Sequence, residues 1–282
     1  MKGRLDIGEG IFISIVLFVV LAILVPGKGL SDFMITLLSV SSFLFGLFVA
    51  FSISDRHSRL KELREELKAS DAFVVDVYKL SAIFGEKTQK ECQRLLDDWV
   101  VATIDYYLKD YHKATPQFLK LYEFIISLTP KTKKQEIAYE QLITTAEQMN
   151  RSIKKIRFLA SDRMSKFEWG TILLLAGIIL FCLFYINTNT LSSVSIIVLL
   201  AVALITLILV LRDLDSLFWK EQVWIWDPLT DLFKEIDMLP YFPGEVIKSK
   251  RITLPKGVSY RLAKYAHPYP DISGKTIEIV NG

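Results

Sequence analysis

Four apolar stretches, Gly10–Val25, Phe33–Ile53, Phe167–Ile186 and Leu191–Leu211, limit what this chain can fold into. A bilayer core takes a helix of roughly 17–25 apolar residues. The last three stretches meet that length. The first is shorter and must tilt little or thin the bilayer locally. Their interiors hold no ionisable residue; Asp32 and Glu168 stand only at edges. The stretches come in two pairs, separated by the charged segment 55–166. The sequence therefore predicts an all-α membrane protein: four transmembrane helices, two plus two, with a cytoplasmic helical bundle between the hairpins and a C-terminal arm. The expected regions are 1–54, 55–166, 167–211 and 212–282.

Composition agrees. The chain is 51% hydrophobic over 282 residues, high for a water-soluble domain. A net charge of +3 gives no argument for a nucleic-acid partner; the expected surroundings are a lipid bilayer. The connection 26–32 has one base, Lys28, and Asn187–Thr190 has none. Bases flank the apolar runs at Lys2, Arg4, Arg56, Arg163, Lys166 and Arg212. By the positive-inside rule both termini and the middle segment face the cytoplasm. The expected location is the inner (cytoplasmic) membrane of a prokaryotic cell, multi-pass. No small-residue cleavage site follows Val25-Pro26-Gly27-Lys28, so the first stretch reads as a retained helix. Cys92 and Cys182 fall in different compartments, which argues against a disulfide.

The second apolar stretch runs on without Gly or Pro to Ile83, and Gly85 ends it. Leu60, Leu63 and Leu67 share a face there. A helix is expected over Glu86–Lys113, with Leu95, Trp99, Ala102, Tyr106 and Lys109 at helical spacing. Thr115-Pro116 reads as a cap followed by the first helical position. That helix should end near Thr129-Pro130, and another should fill Lys133–Met164. Beyond Leu211, Trp219, Trp224 and Trp226 cluster where Trp favours a membrane interface. Val258-Ser259-Tyr260 and Thr276–Val280 are β-like, in an extended arm suited to lie on a neighbour.

Residues that carry catalysis, metal or cofactor binding are not assembled in any familiar pattern: there is no metal-ligand spacing, no Gly-rich phosphate loop and no Gly-x-Ser-x-Gly. His57, His112 and His267 lie far apart and read as surface or interface residues. Asp97-Asp98 reads as part of a solvated helix. Asp213 and Asp215, beside Arg212, suit either a helix terminus or a cation, calcium included.

The second apolar helix says more. Projected at about 100° per residue, one face carries Asp32, Thr36, Ser39, Phe43, Gly46, Ala50 and Ser54, and continues through His57, Lys61 and Arg64. All the membrane positions except Phe43 are small or polar. Lipid rewards neither property, so such a stripe must meet another helix or water. Close helix packing is one reading, through the ladder Ser42-x-x-x-Gly46-x-x-x-Ala50. A pore wall is the other: copies of the helix surround an axis, Phe43 forms a hydrophobic constriction, and Lys61 and Arg64 bias the cytoplasmic vestibule towards anions.

The run Ser42-Phe43-Leu44-Phe45-Gly46-Leu47-Phe48-Val49-Ala50-Phe51-Ser52-Ile53-Ser54-Asp55-Arg56 resembles the second membrane helix of bestrophin channels. Arg157-Phe158-Leu159-Ala160 with Trp169, and Leu214-Asp215-Ser216-Leu217-Phe218, resemble segments of the uncharacterised bestrophin-like membrane proteins. Leu217 stands where that family usually has Pro. The resemblance implies a homo-oligomeric channel, pentameric, with the second helix lining the pore. It places Ser39, Phe43 and Leu47 at a hydrophobic neck crossed by permeant inorganic ions. The acidic run that clasps calcium in animal bestrophins has no counterpart at Trp219-Lys220-Glu221. The expected function is thus an ion channel with a modest preference for anions. The alternatives are a cation-permeable channel, and a membrane-anchored helical scaffold or sensor that binds a cytoplasmic partner.

Overall fold

The computed structural model describes residues 7–217, 225–248, 252, 254 and 257–282. Lys2, Arg4, Phe218, Trp219, Lys220, Glu221 and Trp224, used in the sequence reading, lie outside them. The chain is divided into two compact units. One comprises residues 1–60 and 163–219; the other comprises 61–162 and 220–282. Helices long and apolar enough to cross a membrane begin at Ile7, Asp32 and Leu191, and a further span ends at Tyr185.

The membrane unit contains α1 (Ile7–Leu24), the first part of α2 (Asp32–Ser81), α6 (Lys166–Tyr185) and α7 (Leu191–Asp215). α1 packs closely along α7, and Gly10 lies against Leu209. Phe45 and Val49 of α2 join Ile172, Ala176, Ile179 and Leu183 of α6, and Ile197, Leu204 and Leu211 of α7, in one buried core. Helix starts are capped as their sequences dictate. Ser165 and Glu168 form a reciprocal capping box at α6, and Thr190 accepts a hydrogen bond from Ser193 N at α7.

At one end of this unit two connections are tied together. Asn187 is buried; its amide donates to the Ala22 carbonyl at 2.9 Å and its Oδ1 accepts from Asn189 N and Ser193 Oγ. Lys28 N donates to the Tyr185 carbonyl at 2.8 Å. Gly27 is required here, because a β-carbon would fall 2.2 Å from the Asn187 carbonyl oxygen.

The extramembrane unit holds the remainder of α2, then α3 (Glu86–Asp105), α4 (Thr115–Ser127), α5 (Lys133–Ser161), α8 (Asp227–Glu235) and the short α9 (Gly244–Lys248). As expected, α2 runs past the apolar stretch and stops before Gly85, whose φ of +105° suits glycine. Two helix expectations fail. α3 ends at Asp105 rather than Lys113, because Tyr107 takes a φ of +52° and Leu108–Ala114 continues as a tighter 3-10 segment. Thr115 is no cap: it sits inside α4, and its hydroxyl donates to the His112 carbonyl instead.

The tail also differs from expectation. It folds within its own unit as a three-stranded sheet, β1 (Tyr241–Pro243), β2 (Tyr260–Lys264) and β3 (Thr276–Val280), in the order β1-β2-β3. β1 pairs parallel to β2, with Phe242 opposite Leu262; β2 pairs antiparallel to β3, with Leu262 opposite Glu278. β1 contacts α3. Arg261 forms a bidentate ion pair with Asp97 at 2.6 and 2.7 Å. Asp97 is therefore buried and paired rather than solvated, while Asp98 remains on the exposed side with Arg94 at 2.8 Å. Asp105 accepts from Tyr241, Tyr265 and Lys275, at 2.5, 2.6 and 2.6 Å. Burial, with the Asp105 charge behind it, holds the Tyr241 and Tyr265 hydroxyls firmly protonated, so both donate. Trp226 is buried against Phe242 instead of lying at a membrane interface.

Candidate functional site

α2 divides its circumference into three sectors within the membrane unit. The first faces the chain's own core: Ser41, Phe45, Val49, Arg56 and Arg59 are all buried. The second is large and apolar. Phe33, Val40, Leu44, Phe48 and Phe51 lie at spacings of three, four and seven residues, and all are exposed, Phe51 to 72%. The third holds every membrane position singled out by the sequence: Asp32, Thr36, Ser39, Phe43, Gly46, Leu47, Ala50 and Ser54 are exposed, and so is His57.

Among the described residues nothing packs on this sector, so close packing within one chain does not account for the small residues. A β-carbon added at Gly46 would meet nothing within 4 Å. Ser42, Gly46 and Ala50 are exposed, so their ladder has no partner helix inside the chain. Phe43 stands 66% exposed and Leu47 40% exposed in the same sector. The Ser39 hydroxyl donates to its own helix at the Ile35 carbonyl, 2.8 Å away. That bond satisfies the donor while leaving acceptor lone pairs outward.

Lys61 and Arg64 differ from each other. Lys61 is exposed and stands 4.0 Å from Glu65, which offsets part of its charge. Arg64 is half-buried and engaged with a neighbour, so its guanidinium is a weaker source of open positive charge.

The pair Asp213 and Asp215 resolves in favour of a structural knot. Arg212 clasps Asp213 at 2.9 Å. The Asp215 carbonyl accepts from Arg59 at 3.0 Å and Arg163 at 2.8 Å. Its carboxylate accepts from Met164 N at 2.9 Å, with Arg56 at 3.7 Å. A cation placed there would meet guanidinium charge and find its acceptors occupied. Among the described residues no group of acids, histidines and cysteines is assembled as a metal site. His57, His112 and His267 are exposed. Cys92 and Cys182 are both free and buried, and burial pushes the Cys92 thiol up to about 12, away from reactivity.

The Arg59 contribution escaped the sequence reading. Its only signal was an arginine three residues beyond Arg56, one turn further along the same face. Nothing local marked it as buried.

No curated protein matches this sequence. The crystal structure of a membrane protein has the same fold: the TM-score is 0.62 at 13% identity, covering 83% of this chain and 99% of the other. Residues 11–219, which take in the membrane helices apart from the first turn of α1, match the bestrophin-like domain. With that match spanning most of its length, the chain belongs to the bestrophin-like family.

Proposed function

We propose that the protein is an oligomeric ion channel in which copies of α2 surround an aqueous passage. The observation that carries this reading is the exposed small and polar sector of α2. A membrane helix gains nothing by turning Thr36, Ser39, Gly46, Ala50 and Ser54 to lipid, and no described helix of the same chain covers them. The adjoining aromatic sector, from Phe33 to Phe51, suits lipid or a neighbouring copy. Phe43 and Leu47 supply a hydrophobic neck that gates by dewetting. Family membership supports the pentameric ring as the assembly, in the inner membrane with both termini cytoplasmic. Inorganic ions are the permeant species. Lys61, exposed but close to Glu65, gives a modest bias towards anions.

Planar-bilayer recording of the purified protein tests the reading. Phe43→Ala should raise conductance or leak roughly two-fold or more. Reversal potentials in asymmetric salt should favour the anion slightly, and less so for Lys61→Glu. Currents unchanged by Phe43→Ala would remove α2 from the gate. A monomer or dimer in detergent would leave the chain a membrane-anchored scaffold.

A further inference from the structure

A cavity of about 80 Å³ lies inside the extramembrane unit, walled by α2, α3, the segment Leu108–Ala114 and α8. One water needs at least about 10–15 Å³ measured this way, so the space takes roughly five water-sized groups. Its wall is aromatic: Trp99, Tyr107, Tyr111 and Trp226 all contribute. Asp71 lines the same space. No described residue donates a hydrogen bond to the Asp71 carboxyl or pairs with it as a cation.

Asp71 is half-buried, and a carboxylate against aromatic walls that lacks a counter-charge is costly in proportion to the water it loses, unless something supplies one. Burial, joined by the charge of Glu235 from α8, pushes Asp71 up to about 7. Both causes act in the direction that a bound cation reverses. A bare metal ion favours several carboxylate or carbonyl oxygens, and among the described residues the side chains of this largely apolar wall offer one carboxylate beside neutral hydroxyls. An organic ammonium needs one carboxylate for its head and aromatic surface for its body, and aromatic rings attract such cations directly.

We propose that this cavity binds a small organic ammonium ion, with Asp71 as its counter-ion and Trp99 and Trp226 against its alkyl part. The site is independent of the pore reading and stands or falls separately. The charge of Glu235 on α8 acts on Asp71; Tyr111 comes from the 3-10 segment and Tyr107 from the residue before it; the α3 wall contributes Trp99, Val100, Thr103 and Ile104, none of which titrates. Burial holds Tyr111 protonated, so Asp71 is the group that changes charge near neutrality.

Titration calorimetry on the full-length protein in detergent, with n-butylammonium and 1-butanol as probes, tests the site. The two have the same number of heavy atoms and differ in charge. Butylammonium should bind at least about ten-fold more tightly than butanol, and Asp71→Asn should abolish that preference. An alkylammonium stays charged between pH 6 and 8. Wild-type affinity should therefore fall roughly ten-fold from pH 8 to pH 6 as a proton competes for Asp71, and Asp71→Asn should show no such slope. Thr103→Met, which adds bulk from the α3 wall and leaves Asp71 in place, should also remove binding while circular dichroism stays unchanged. Equal binding of both probes, indifferent to Asp71→Asn, would overturn the proposal and leave a plain apolar cavity. No binding of either probe at millimolar concentration, or binding that survives Thr103→Met, would overturn it as well.

Discussion

The two units of this protein treat polar side chains in opposite ways. The extramembrane unit turns charge inward and, Asp71 apart, pairs it: Asp97 with Arg261, Asp105 with two tyrosines and Lys275. Among its described residues the membrane unit confines its buried charge to the knot around Asp215, and turns its small and polar side chains outward along α2. In a water-bathed unit an outward serine needs no explanation. In a membrane unit it does, because lipid offers it no partner. The same observation, an exposed polar residue, is thus trivial in one region and informative in the other.

The comparison breaks first at Asp105. If the extramembrane unit rests on inward pairing, Asp105→Asn should cost about 3–5 kcal/mol, read by denaturant unfolding of the full chain in detergent. It leaves Lys275 beside a neutral group and two tyrosine hydroxyls competing for a poorer acceptor. A loss under 1 kcal/mol would show that the network is incidental.

The next effect is pH dependence. Asp71 has a folded value of about 7 against 3.8 for the free side chain, so the native state holds an extra proton between them. Its contribution is fully present below pH 3.8 and is lost as pH rises through 7. The extramembrane unit should lose about 2–4 kcal/mol between pH 4 and pH 8, and Asp71→Asn should flatten that slope.

Smaller still is the tie at the end of the membrane unit. Asn187→Ala should destabilise it by about 1–3 kcal/mol, by stranding the Ala22 carbonyl and the Ser193 hydroxyl, measured as a fall in thermal midpoint. The smallest stability effect belongs to the outward sector. Ala50→Leu should change stability by no more than about 0.5 kcal/mol, since no helix of the chain covers it, yet it should reduce current in bilayers.

Much of the membrane unit was legible in the sequence because one physical signal dominates it. Apolar length fixes the spans, and helical projection separates the Thr36–Ser54 stripe from the buried Phe45 and Val49. The extramembrane unit was less legible. Its helices followed from Gly85, Pro116 and Pro130, but the end of α3 depends on the backbone turn at Tyr107, which no local residue preference announces. The β-like runs at Tyr260 and Thr276 were visible, while their pairing with Tyr241–Pro243 is not, because register between distant segments is a tertiary matter. Asp97 shows the same limit. In sequence it is one of two adjacent acids on a helix; only Arg261, far along the chain, makes it a buried ion pair. The Asp71 cavity had no sequence signal, since it requires Trp99, Tyr111 and Trp226 to meet from three separate elements.

Cysteine accessibility along α2 tests the central claim most directly. Cys92 and Cys182 are buried, so single cysteines introduced in the oligomer can be followed with a charged, membrane-impermeant thiol reagent. If the small and polar sector lines water, Ser39→Cys, Ala50→Cys and Ser54→Cys react quickly and modification alters the current, while Phe48→Cys and Phe51→Cys stay protected. Equal protection of both sectors, or rapid reaction at Phe51→Cys with none at Ala50→Cys, would contradict it.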